Sequence, residues 1–403
     1  MNKIYKIAII GGGASGVACA VELFSGGDSI SCQDLVLLEG NDRLLKKLSA
    51  SGNGQGNITN AYISESNYSG DKKFVSAFIE NLKKVSLTDF FKNLNIQTVT
   101  AENGRVYPMS MQANAVTDIL RFFLARKNVQ IRLNTRISEV YEENGIFVAK
   151  AESGEKFFAE NVVISCGGKA GKQFGTNGAG YKFCRSFGHT VTPLLPSLVQ
   201  LKAEKSAIKG LNGVKERAKL SLYDGDRLLK SATGDLLFTE YGVSGNAVFQ
   251  VSDKAVCADK PHITAEFLPD VEKEYIAHEI KARKNAGHFT DEELLTGLIN
   301  KKLGQAIIKS SGNSPEKIAE KVKNFVIPIT GNLGFDYAQV TKGGVNTDEI
   351  DASSYESKLK KGLYVTGETL DIDGECGGYN LTFAFLSGII AAKNLKSKIN
   401  RQQ

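Results

Sequence analysis

The sequence of 403 residues is long enough for two or three domains, since about 150 residues per domain is a usable prior. Hydrophobic residues make up 42% of the chain and charged residues 23%, which excludes a disordered or coiled-coil protein. The net charge of +6 comes from 50 basic and 44 acidic residues without a basic stripe or tail, which argues against a nucleic-acid partner.

The first predicted elements form a strand–turn–helix–strand unit. Lys6–Ile10 is a short apolar run typical of a strand, and a helical pattern follows the next glycines through Phe24. Asp34–Leu38 is predicted as the second strand and ends at Glu39, so the chain opens a parallel βαβ unit. The glycines at 11–13 interrupt the apolar stretch, which therefore does not fit a signal peptide. No apolar run approaches about 18 residues, so no membrane span is predicted.

Helices and a group of short strands follow. Apolar residues recur at helical spacing over 72–94 and over 112–127, which predicts helices there. The next strands are short and closely spaced. They are predicted at Val129–Leu133, Ile137–Glu142, Ile146–Ala151, Lys156–Ala159 and Asn161–Ile164.

The character of the sequence changes near Pro193. Residues 194–267 are predicted as short strands joined by turns, and residues 270–325 as helices. Thr290 begins a capping-box sequence with an acid three residues later, and Ser314-Pro315 marks another helix start. This segment therefore differs in kind from the βαβ opening.

The first kind of sequence returns after Gly343-Gly344, with a predicted strand at Gly362–Thr366 and a predicted helix over Leu381–Lys396. The simplest topology is an α/β nucleotide-binding domain made from both ends of the chain and interrupted by an inserted domain of strands and helices. The predicted boundaries are 1–190 for the first part of the nucleotide-binding domain, 191–340 for the insertion and 341–403 for the second part.

The turn after the first strand has the glycine spacing of a dinucleotide-binding motif. Gly11 is placed to make the tight turn, Gly13 to let a pyrophosphate approach the backbone, and Gly16 to let the helix pack on the sheet. The helix N-terminus offers free N–H groups to phosphates. Glu39, 23 residues after Gly16, stands where an acid accepts the ribose hydroxyls of FAD or NAD rather than NADP. A purely structural turn is the alternative.

Glycine is abundant, with 41 residues against 7 prolines, and it is clustered. Dense groups lie at 11–16, 52–56, 167–180 and 362–378, which indicates backbone that approaches a ligand closely. An enzyme that binds only NAD carries one such nucleotide-binding region, whereas here glycine turns recur late in the chain. FAD is long enough to need both ends of the chain, so this distribution favours FAD.

Several blocks of the sequence, in order, resemble a known family. The blocks are Ile9–Gly16, Lys46–Asn60, Cys166–Tyr181, Leu237–Gly245, Thr341–Val345 and Gly367–Leu381. Over essentially the whole chain, the sequence resembles the bacterial NAD(P)/FAD-dependent oxidoreductases of the BaiN/YhiN type, the group that includes aminoacetone oxidase. The resemblance implies an FAD-binding Rossmann-type domain with a β-barrel and helical insertion. It places barrel strands within 194–267 and 326–340 and the helical part within 270–325.

The motif and the resemblance together give the residues expected to contact FAD. They are Gly11, Gly13, Ala14, Ser15, Gly16, Glu39, Gly40, Lys47, Ser51, Gly52, Asn57, Thr59, Asn60, Ile137, Cys166, Gly167, Gly168, Gly367, Glu368, Asp373, Gly374, Gly377, Gly378, Tyr379, Asn380 and Leu381. No catalytic acid or base is assigned, because a flavin performs hydride chemistry itself and the protein positions and tunes it.

One departure from the family pattern lies in the second block. Family members usually carry a basic residue and a cysteine where this chain has Gln55 and Gly56. A mechanism that needs that cation or thiol is therefore put in doubt. Cys376, just before Gly377-Gly378, either faces the flavin or is a small packed thiol.

The six cysteines and four histidines show neither a C-x-x-C pair nor a metal-ligand spacing, so no metal is expected. Sparse free thiols are typical of a reducing cytoplasm, where the protein is expected to reside. They also argue against an enzyme of the disulfide-reductase type. His189 is expected at a hinge or strand start rather than in catalysis.

The predicted function is that of an FAD-dependent oxidoreductase that passes hydride through its flavin, with NAD(P)H as the expected donor. The favoured reaction is reduction of an activated C=C bond in a small apolar or ring substrate. Oxidation of an amine or aminoketone with O₂ is the main alternative, and an FAD-dependent tRNA-modifying protein is another. A small-molecule partner is expected, with no nucleic-acid or membrane partner, and the oligomeric state is left open.

Overall fold

A computed structural model describes residues 3–25, 30–312 and 314–402. The chain divides into two units, one made of Met1–Leu195 with Val340–Gln403 and the other of Pro196–Gln339. The first unit is thus built from both ends of the chain. The predicted fold class is confirmed, with a Rossmann-type parallel sheet in the first unit and an antiparallel barrel in the second.

The strands and helices are numbered in chain order. Up to residue 185 they are β1 (Ile4–Ile10), α1 (Ala14–Leu23), β2 (Leu35–Leu38), α2 (Lys46–Ser49), β3 (Thr59–Asn60), β4 (Tyr68–Gly70), α3 (Lys72–Lys84), α4 (Leu87–Asn93), β5 (Thr98–Thr100), β6 (Arg105–Pro108), α5 (Ala113–Arg126), β7 (Gln130–Arg132), β8 (Ile137–Glu143), β9 (Ile146–Ala151), β10 (Lys156–Ile164) and α6 (Ala179–Arg185). The middle of the chain has β11 (Leu195–Ser197), β12 (Leu201–Ala203), β13 (Lys215–Asp224), β14 (Arg227–Phe238), β15 (Gly242–Ser244), α7 (Asn246–Ala255), β16 (Pro261–Phe267), α8 (Lys273–Ala286), α9 (Lys301–Ser311), α10 (Pro315–Lys323) and β17 (Phe325–Asn332). The last elements are β18 (Val340–Lys342), β19 (Leu363–Val365), β20 (Ile372–Gly374) and α11 (Tyr379–Gln402).

The main sheet of the first unit places strands side by side that are far apart in sequence. Within the described ranges its order is β7-β2-β1-β10-β9-β8, and β19 joins it beside β10. β1 lies parallel to β2 and β10, with Ile9 opposite Leu37 and Val163. β2 is entirely apolar and buried, as expected for a parallel strand covered on both faces. The carboxyl ends of β2, β1, β10 and β19 therefore meet at one edge, where ligands of such sheets bind.

β10 corrects one of the predictions. The two strands expected at Lys156–Ala159 and Asn161–Ile164 form one continuous strand. Its first half pairs with β9 and its second half with β19, so the strand changes partner instead of ending near Glu160. A change of pairing partner leaves no trace in the local sequence, so the continuity of β10 could not be predicted from it.

The first and last helices of the chain pack together beside the sheet. α1 is buried along nearly its whole length and contacts α11. Gly388 of α11 permits this approach, because a Cβ atom there would lie 2.1 Å from the main-chain oxygen of Ser15. Aromatic rings extend the core outward, with the Phe91 and Phe385 centroids 5.1 Å apart and nearly perpendicular.

The second unit contains a closed antiparallel barrel. Among the residues described, its strand order is β12-β15-β14-β13-β16-β17. β13 and β14 form a long hairpin that closes at Asp224 opposite Arg227. Ala218, Leu220 and Leu222 alternate with less buried residues along β13, which is the period-two pattern of a strand with one buried face.

One helix of the second unit was not predicted. α7 occupies a stretch that was expected to hold only strands and turns. Its buried residues recur at helical spacing, for example Val248, Val251 and Ala255, and they pack α7 against β13 and β14. Tertiary packing therefore outweighs the strand preference of its valines. The last helix is also longer than predicted, because α11 extends beyond the predicted range 381–396 at both ends.

The helices α8, α9 and α10 lie in the stretch predicted to be helical. Thr290 and Glu293 form the predicted capping box, each side chain bonding to the main chain of the other residue. Ser314 caps α10, and its hydroxyl accepts from the N–H of Lys317, with Pro315 in the first turn.

Residues 3–25, 30–312 and 314–402 contain neither a membrane-spanning helix nor a cluster of metal ligands. No helix there has the length and apolar character needed to cross a membrane. No group of three or more His, Cys, Asp or Glu side chains there is arranged to hold a metal ion. α11 has 24 residues, but Lys393, Lys396 and Lys398 interrupt its second half.

Candidate functional site

The turn between β1 and α1 depends on contacts that only glycine permits. Gly11 has a φ of +108°, and a Cβ atom there would lie 2.3 Å from the main-chain oxygen of Ser165. A Cβ atom on Gly16 would lie 2.0 Å from the Gly11 oxygen. The Ser165 hydroxyl donates to that same oxygen at 2.9 Å. Residues 11 and 16 must therefore be glycine for the turn to form at all.

Gly13 differs because nothing faces it. Its φ is −79°, an ordinary value, and only its chain neighbours come within 4 Å of the place that a Cβ atom would take. Ala14 and Ser15 begin α1, and no side chain caps the free N–H groups of this helix. Uncapped N–H groups beside open space form an anion site. The space fits the pyrophosphate of a dinucleotide, as the sequence predicts for these residues.

Glu39 ends β2 and is 8% exposed. One carboxylate oxygen accepts from the main-chain N–H of Gly12 at 2.7 Å, and the other accepts from both nitrogens of Asn41 at 2.7 Å. The oxygen that accepts from Gly12 has a second lone pair to spare, so a ribose hydroxyl can also donate to it. Arg136 lies over the adjacent Gly40, with its guanidinium carbon 3.4 Å from the position of a Cβ atom there.

The turns after β10 and β19 meet because these strands are parallel neighbours. The turns carry Cys166–Gly168 and Gly367-Glu368, all predicted to contact the cofactor. A Cβ atom on Gly168 would lie 2.5 Å from a carboxylate oxygen of Glu368. The other oxygen of Glu368 pairs with the Lys47 ammonium at 2.6 Å. Two predicted residues, 321 positions apart, are thus brought together as an ion pair.

The thiol of Cys166 is not suited to thiolate chemistry. Its sulfur lies 3.4 Å from the main-chain oxygen of Ile10. Burial, together with the negative charge of Glu39, raises the pKa of this thiol to about 12. Cys166 is therefore a neutral group that packs against the end of β1.

The loop before β3, and β3 itself, run against the N-terminus of α11. Gly378 has a φ of +98°, and a Cβ atom there would lie 2.4 Å from the main-chain oxygen of Thr59. The Asn60 amide donates to the oxygen of Gly377 at 2.9 Å. The Asn57 amide donates to the oxygen of Thr59 at 2.9 Å. Residues predicted from opposite ends of the chain are therefore in direct contact.

Ser51 carries a hydroxyl without a partner. Its oxygen is buried and has no hydrogen bond within the described residues. Next to it, Gly52 has a φ of +57°, and a Cβ atom there would lie 2.9 Å from the main-chain nitrogen of Asn57. Buried hydroxyls without partners are rare in folded proteins. This orphaned hydroxyl and the open space at Gly13 are what a long dinucleotide such as FAD fits.

A side-chain brace fixes the start of α11. The Asn380 amide donates to the main-chain oxygen of Gly374 at 2.7 Å, and its oxygen accepts from the N–H of Gly374 at 2.8 Å. Asp373 is 3% exposed and pairs with the Lys342 ammonium at 3.2 Å. The first turn of α11, Tyr379–Leu381, thus holds its positive dipole end next to β3.

The structure accounts for one of the two departures at residues 55 and 56. Gly56 is buried with a φ of +79°, and a Cβ atom there would lie 2.9 Å from the Cα atom of Ala113. A cysteine does not fit this backbone, so glycine is a geometric requirement here. Gln55 is exposed, and nothing in the structure explains its replacement of a basic residue.

His189 is enclosed by hydrogen bonds. Its ring nitrogens lie 3.0 Å from a carboxylate oxygen of Glu349 and 2.8 Å from the hydroxyl of Ser357. This looks like a hydrolase triad, but the His189 side chain is 0% exposed. The Ser357 hydroxyl also accepts from the N–H groups of Leu359 and Lys360. The cluster therefore joins segments of the first unit and offers no nucleophile to a substrate.

Four residues at the site were not predicted. Asn41, Ser165 and Thr341 hold main-chain turns through side-chain hydrogen bonds, Asn41 by donating to the oxygen of Phe174, and Arg136 covers the turn after β2. Thr341 lies in one of the blocks that resemble the family, and the other three do not. Their roles leave no local sign in the sequence, because the groups that they contact here are distant along the chain. Ile137 was predicted, and its side chain is 5% exposed, so it offers a ligand mainly its main chain.

The chain is similar to known proteins over nearly its whole length. The family model of the HI0933-like protein Rossmann domain matches residues 5–394. A protein of Clostridium scindens named 3-dehydro-bile acid delta(4,6)-reductase is 35% identical, over 96% of this chain and 98% of its own length. A ribosomal RNA dihydrouridine synthase of Haemophilus influenzae is 28% identical, over 98% of this chain and 99% of its own length.

A solved structure shares the fold. The 3-ketosteroid delta1-dehydrogenase of Sterolibacterium denitrificans has a TM-score of 0.53 at 13% identity, and the match covers 98% of this chain and 100% of that protein. At this identity the likeness speaks for the arrangement of strands and helices alone.

Proposed function

The chain belongs to the HI0933-like family and is an FAD-dependent oxidoreductase, and on that premise we propose that it saturates a C=C bond conjugated to a carbonyl group in a small apolar ring substrate, with NAD(P)H as the electron donor. The observation that carries the proposal is the 35% identity to a 3-dehydro-bile acid delta(4,6)-reductase over 96% of the chain. The names of the two relatives described above, a delta(4,6)-reductase and a dihydrouridine synthase, both denote saturation of a C=C bond. The reaction class is therefore better supported than any particular substrate.

The residues of the first unit supply binding and orientation. We expect the N–H groups of α1 beside Gly13, which no side chain caps among the described residues, to hold the two phosphates, and Glu39 to accept the ribose hydroxyls. When bound, FAD supplies the hydride transfer itself. We expect the N-terminus of α11 to stabilise negative charge next to β3. The loop that precedes β3 carries the hydroxyl of Ser51, which has no hydrogen-bond partner among the described residues.

The test starts from the colour of the purified protein. We expect an oxidised flavin spectrum and its anaerobic bleaching by NADH or NADPH. A 3-oxo-4,6-diene bile acid should then reoxidise the bleached protein and lose its conjugated absorption. Hydrogen peroxide formed from an amine or aminoketone, with no reaction of the conjugated ketone, would favour the oxidase alternative instead.

Reduction of uracil in ribosomal RNA is a second candidate. The relative named as a ribosomal RNA dihydrouridine synthase matches nearly the whole chain, although its identity of 28% is lower. The balanced charge of the sequence, 50 basic against 44 acidic residues, argues against a strong RNA surface. Formation of dihydrouridine in RNA incubated with the reduced protein, with binding that weakens steeply as salt rises, would favour this candidate.

A further inference from the structure

Arg105, Cys376 and Tyr379 lie together at the start of α11. Arg105 begins β6, where it pairs with Asn60 of β3. The Asn60 amide in turn donates to the oxygen of Gly377 at 2.9 Å. The Arg105 guanidinium thereby reaches the Cys376 sulfur, 4.0 Å away. None of the sequence motifs included Arg105.

The charge of Arg105 lacks a direct counterion. Within the described part of the chain its guanidinium forms no ion pair with a carboxylate, and its side-chain contact is the thiol of Cys376. A carboxylate oxygen of the neighbouring Glu375 instead accepts from Asn67 at 3.1 Å. The same place is the positive end of a 24-residue helix, worth about half a unit charge. Two positive features side by side favour an electron-rich ligand.

Tyr379 adds a neutral donor. Burial raises the pKa of its phenol, Glu375 raises it further, and Arg105 acts in the opposite direction. The phenol therefore keeps its proton near neutral pH. Its hydroxyl is 3.4 Å from the main-chain oxygen of Tyr62, a long contact that leaves it free to donate elsewhere. Cys376 adds no charge, because burial raises the pKa of its thiol as well.

We propose that Arg105 and Tyr379 bind the carbonyl oxygen of the substrate and stabilise the negative charge that develops on it. This inference rests on the proposed function and names the group that the site recognises. As a hydride equivalent from NAD(P)H adds to the β-carbon, the π electrons of the C=C bond form the enolate and the carbonyl electron pair moves to oxygen. Protonation of the α-carbon by water then restores the carbonyl. Donors that are placed where such charge develops are a major source of catalysis.

The first test measures binding without turnover. para-Chlorophenol, titrated into the FAD-loaded protein, mimics an enolate and gives a long-wavelength absorption band when it stacks on oxidised flavin. The Arg105→Met variant should bind it about 10- to 100-fold more weakly, the loss expected for a charge-assisted hydrogen bond. Arg105→Lys should recover part of the affinity. Tyr379→Phe should lose about 2- to 10-fold, as for a neutral hydrogen bond.

The controls separate this inference from folding and from the proposed function. Arg126→Met changes an exposed arginine at the end of α5 and should leave phenol binding unchanged. FAD content and a melting temperature equal to those of the wild type show that a variant is folded. If the Arg105 variants do not fold, Tyr379→Phe still tests the inference. Wild-type phenol affinity in Arg105→Met and Tyr379→Phe overturns the inference. Tight, Arg105-dependent phenol binding without turnover of any conjugated ketone overturns only the proposed function.

Discussion

Gly11 and Gly13 lie two positions apart in one turn, yet different physical demands apply to them. At Gly11, a φ of +108° and a Cβ position 2.3 Å from the Ser165 oxygen leave no room for a side chain. At Gly13, φ is −79° and the space beyond is empty. The turn requires the first glycine, whereas we expect the second to leave room for the ligand, so their substitutions have different expected consequences.

Gly13→Ala is expected to fold normally and to lose FAD. Because no native atom is displaced, its stability without FAD should stay within about 0.5 kcal/mol of the wild type. The added methyl group would occupy the space proposed for the pyrophosphate, so FAD affinity should fall. Urea unfolding of the apoprotein and quenching of FAD fluorescence measure the two effects separately.

Gly11→Ala is the matched contrast. It places a methyl group against the main chain at a strained φ, so it should lower stability by about 1–3 kcal/mol even without FAD. Equal stability losses in both variants would contradict the division of roles described above.

Glu349 is expected to make the protein sensitive to acid. Burial by itself raises the pKa of this carboxyl, but hydrogen bonds from Thr190 and His189 outweigh it, and the net pKa lies below the ordinary 4.5. A lowered folded-state pKa stabilises the native state above about pH 4.5, and this contribution is lost as the pH falls through the folded-state value. The melting-temperature difference between wild type and Glu349→Gln should therefore stay constant from about pH 7 to about pH 4.5 and shrink as the pH falls further.

The exposed Glu152 provides the control for this measurement. Glu152→Gln should follow the wild-type melting temperature across the whole pH range. A Glu349→Gln difference that is constant with pH would mean that the carboxylate charge of Glu349 does not stabilise the fold.

Among the elements, the crossing of α1 and α11 joins the two ends of the chain. α11 approaches α1 so closely that Gly388 faces the main-chain oxygen of Ser15. Ser15 belongs to the first turn of α1, which holds the candidate phosphate site. Packing between these helices therefore also sets the position of the phosphate-binding N–H groups.

Gly388→Ala is expected to destabilise the protein and weaken FAD binding together. Alanine favours a helix by about 1 kcal/mol over glycine, so a loss of stability can come only from the displaced helix contact. Overpacking of this kind costs about 1–3 kcal/mol. Lys393→Ala, at an exposed position of the same helix, should leave both properties nearly unchanged. Thermal unfolding with and without FAD is the measurement, and unchanged FAD affinity in Gly388→Ala would contradict the coupling.

Elements governed by local rules could be predicted from the sequence. The glycine turn, the capping box at Thr290 and the helix start at Ser314 depend on residues only a few positions apart, and all three form as expected. The continuity of β10 and the helix α7 could not be predicted, because distant partners decide them. Local sequence does not record which strand or barrel wall will lie alongside.

The candidate site divides in the same way. Its glycines and Glu39 stand in motifs whose spacing reflects a single turn. The pair of Lys47 with Glu368 spans 321 positions, and Arg105 reaches Cys376 across 271. Such partners become visible only after the sheet has placed the strand ends, so no local pattern singles out Arg105.

At the level of the whole molecule, every residue predicted to contact FAD lies outside Pro196–Gln339. The chain leaves and re-enters the first unit at adjacent points. The N–H of Thr192 donates to the oxygen of Gly344 at 2.9 Å, and the N–H of Gly344 donates to the Thr192 hydroxyl at 3.0 Å. A short connection can therefore close the first unit.

Replacement of Pro196–Gln339 by a short glycine–serine linker is expected to give a protein that still binds FAD. The expected ratio is one FAD per chain, measured by absorbance after gel filtration. The same replacement combined with Gly13→Ala is the control and should bind no FAD. A linked first unit that folds, by circular dichroism, but binds no FAD would mean that the second unit contributes directly to the cofactor site.

The placement of β19 and α11 also constrains how the protein is made. At about 5–20 residues per second, synthesis of the chain takes roughly 20–80 seconds. The barrel is complete once β17 has emerged at Asn332, whereas α1 waits for a helix that ends at Gln402. Domains fold as units during synthesis, and contacts across such long sequence separations form slowly. The barrel is therefore expected to form before the first unit is complete, and a chain that ends before α11 is not expected to retain FAD.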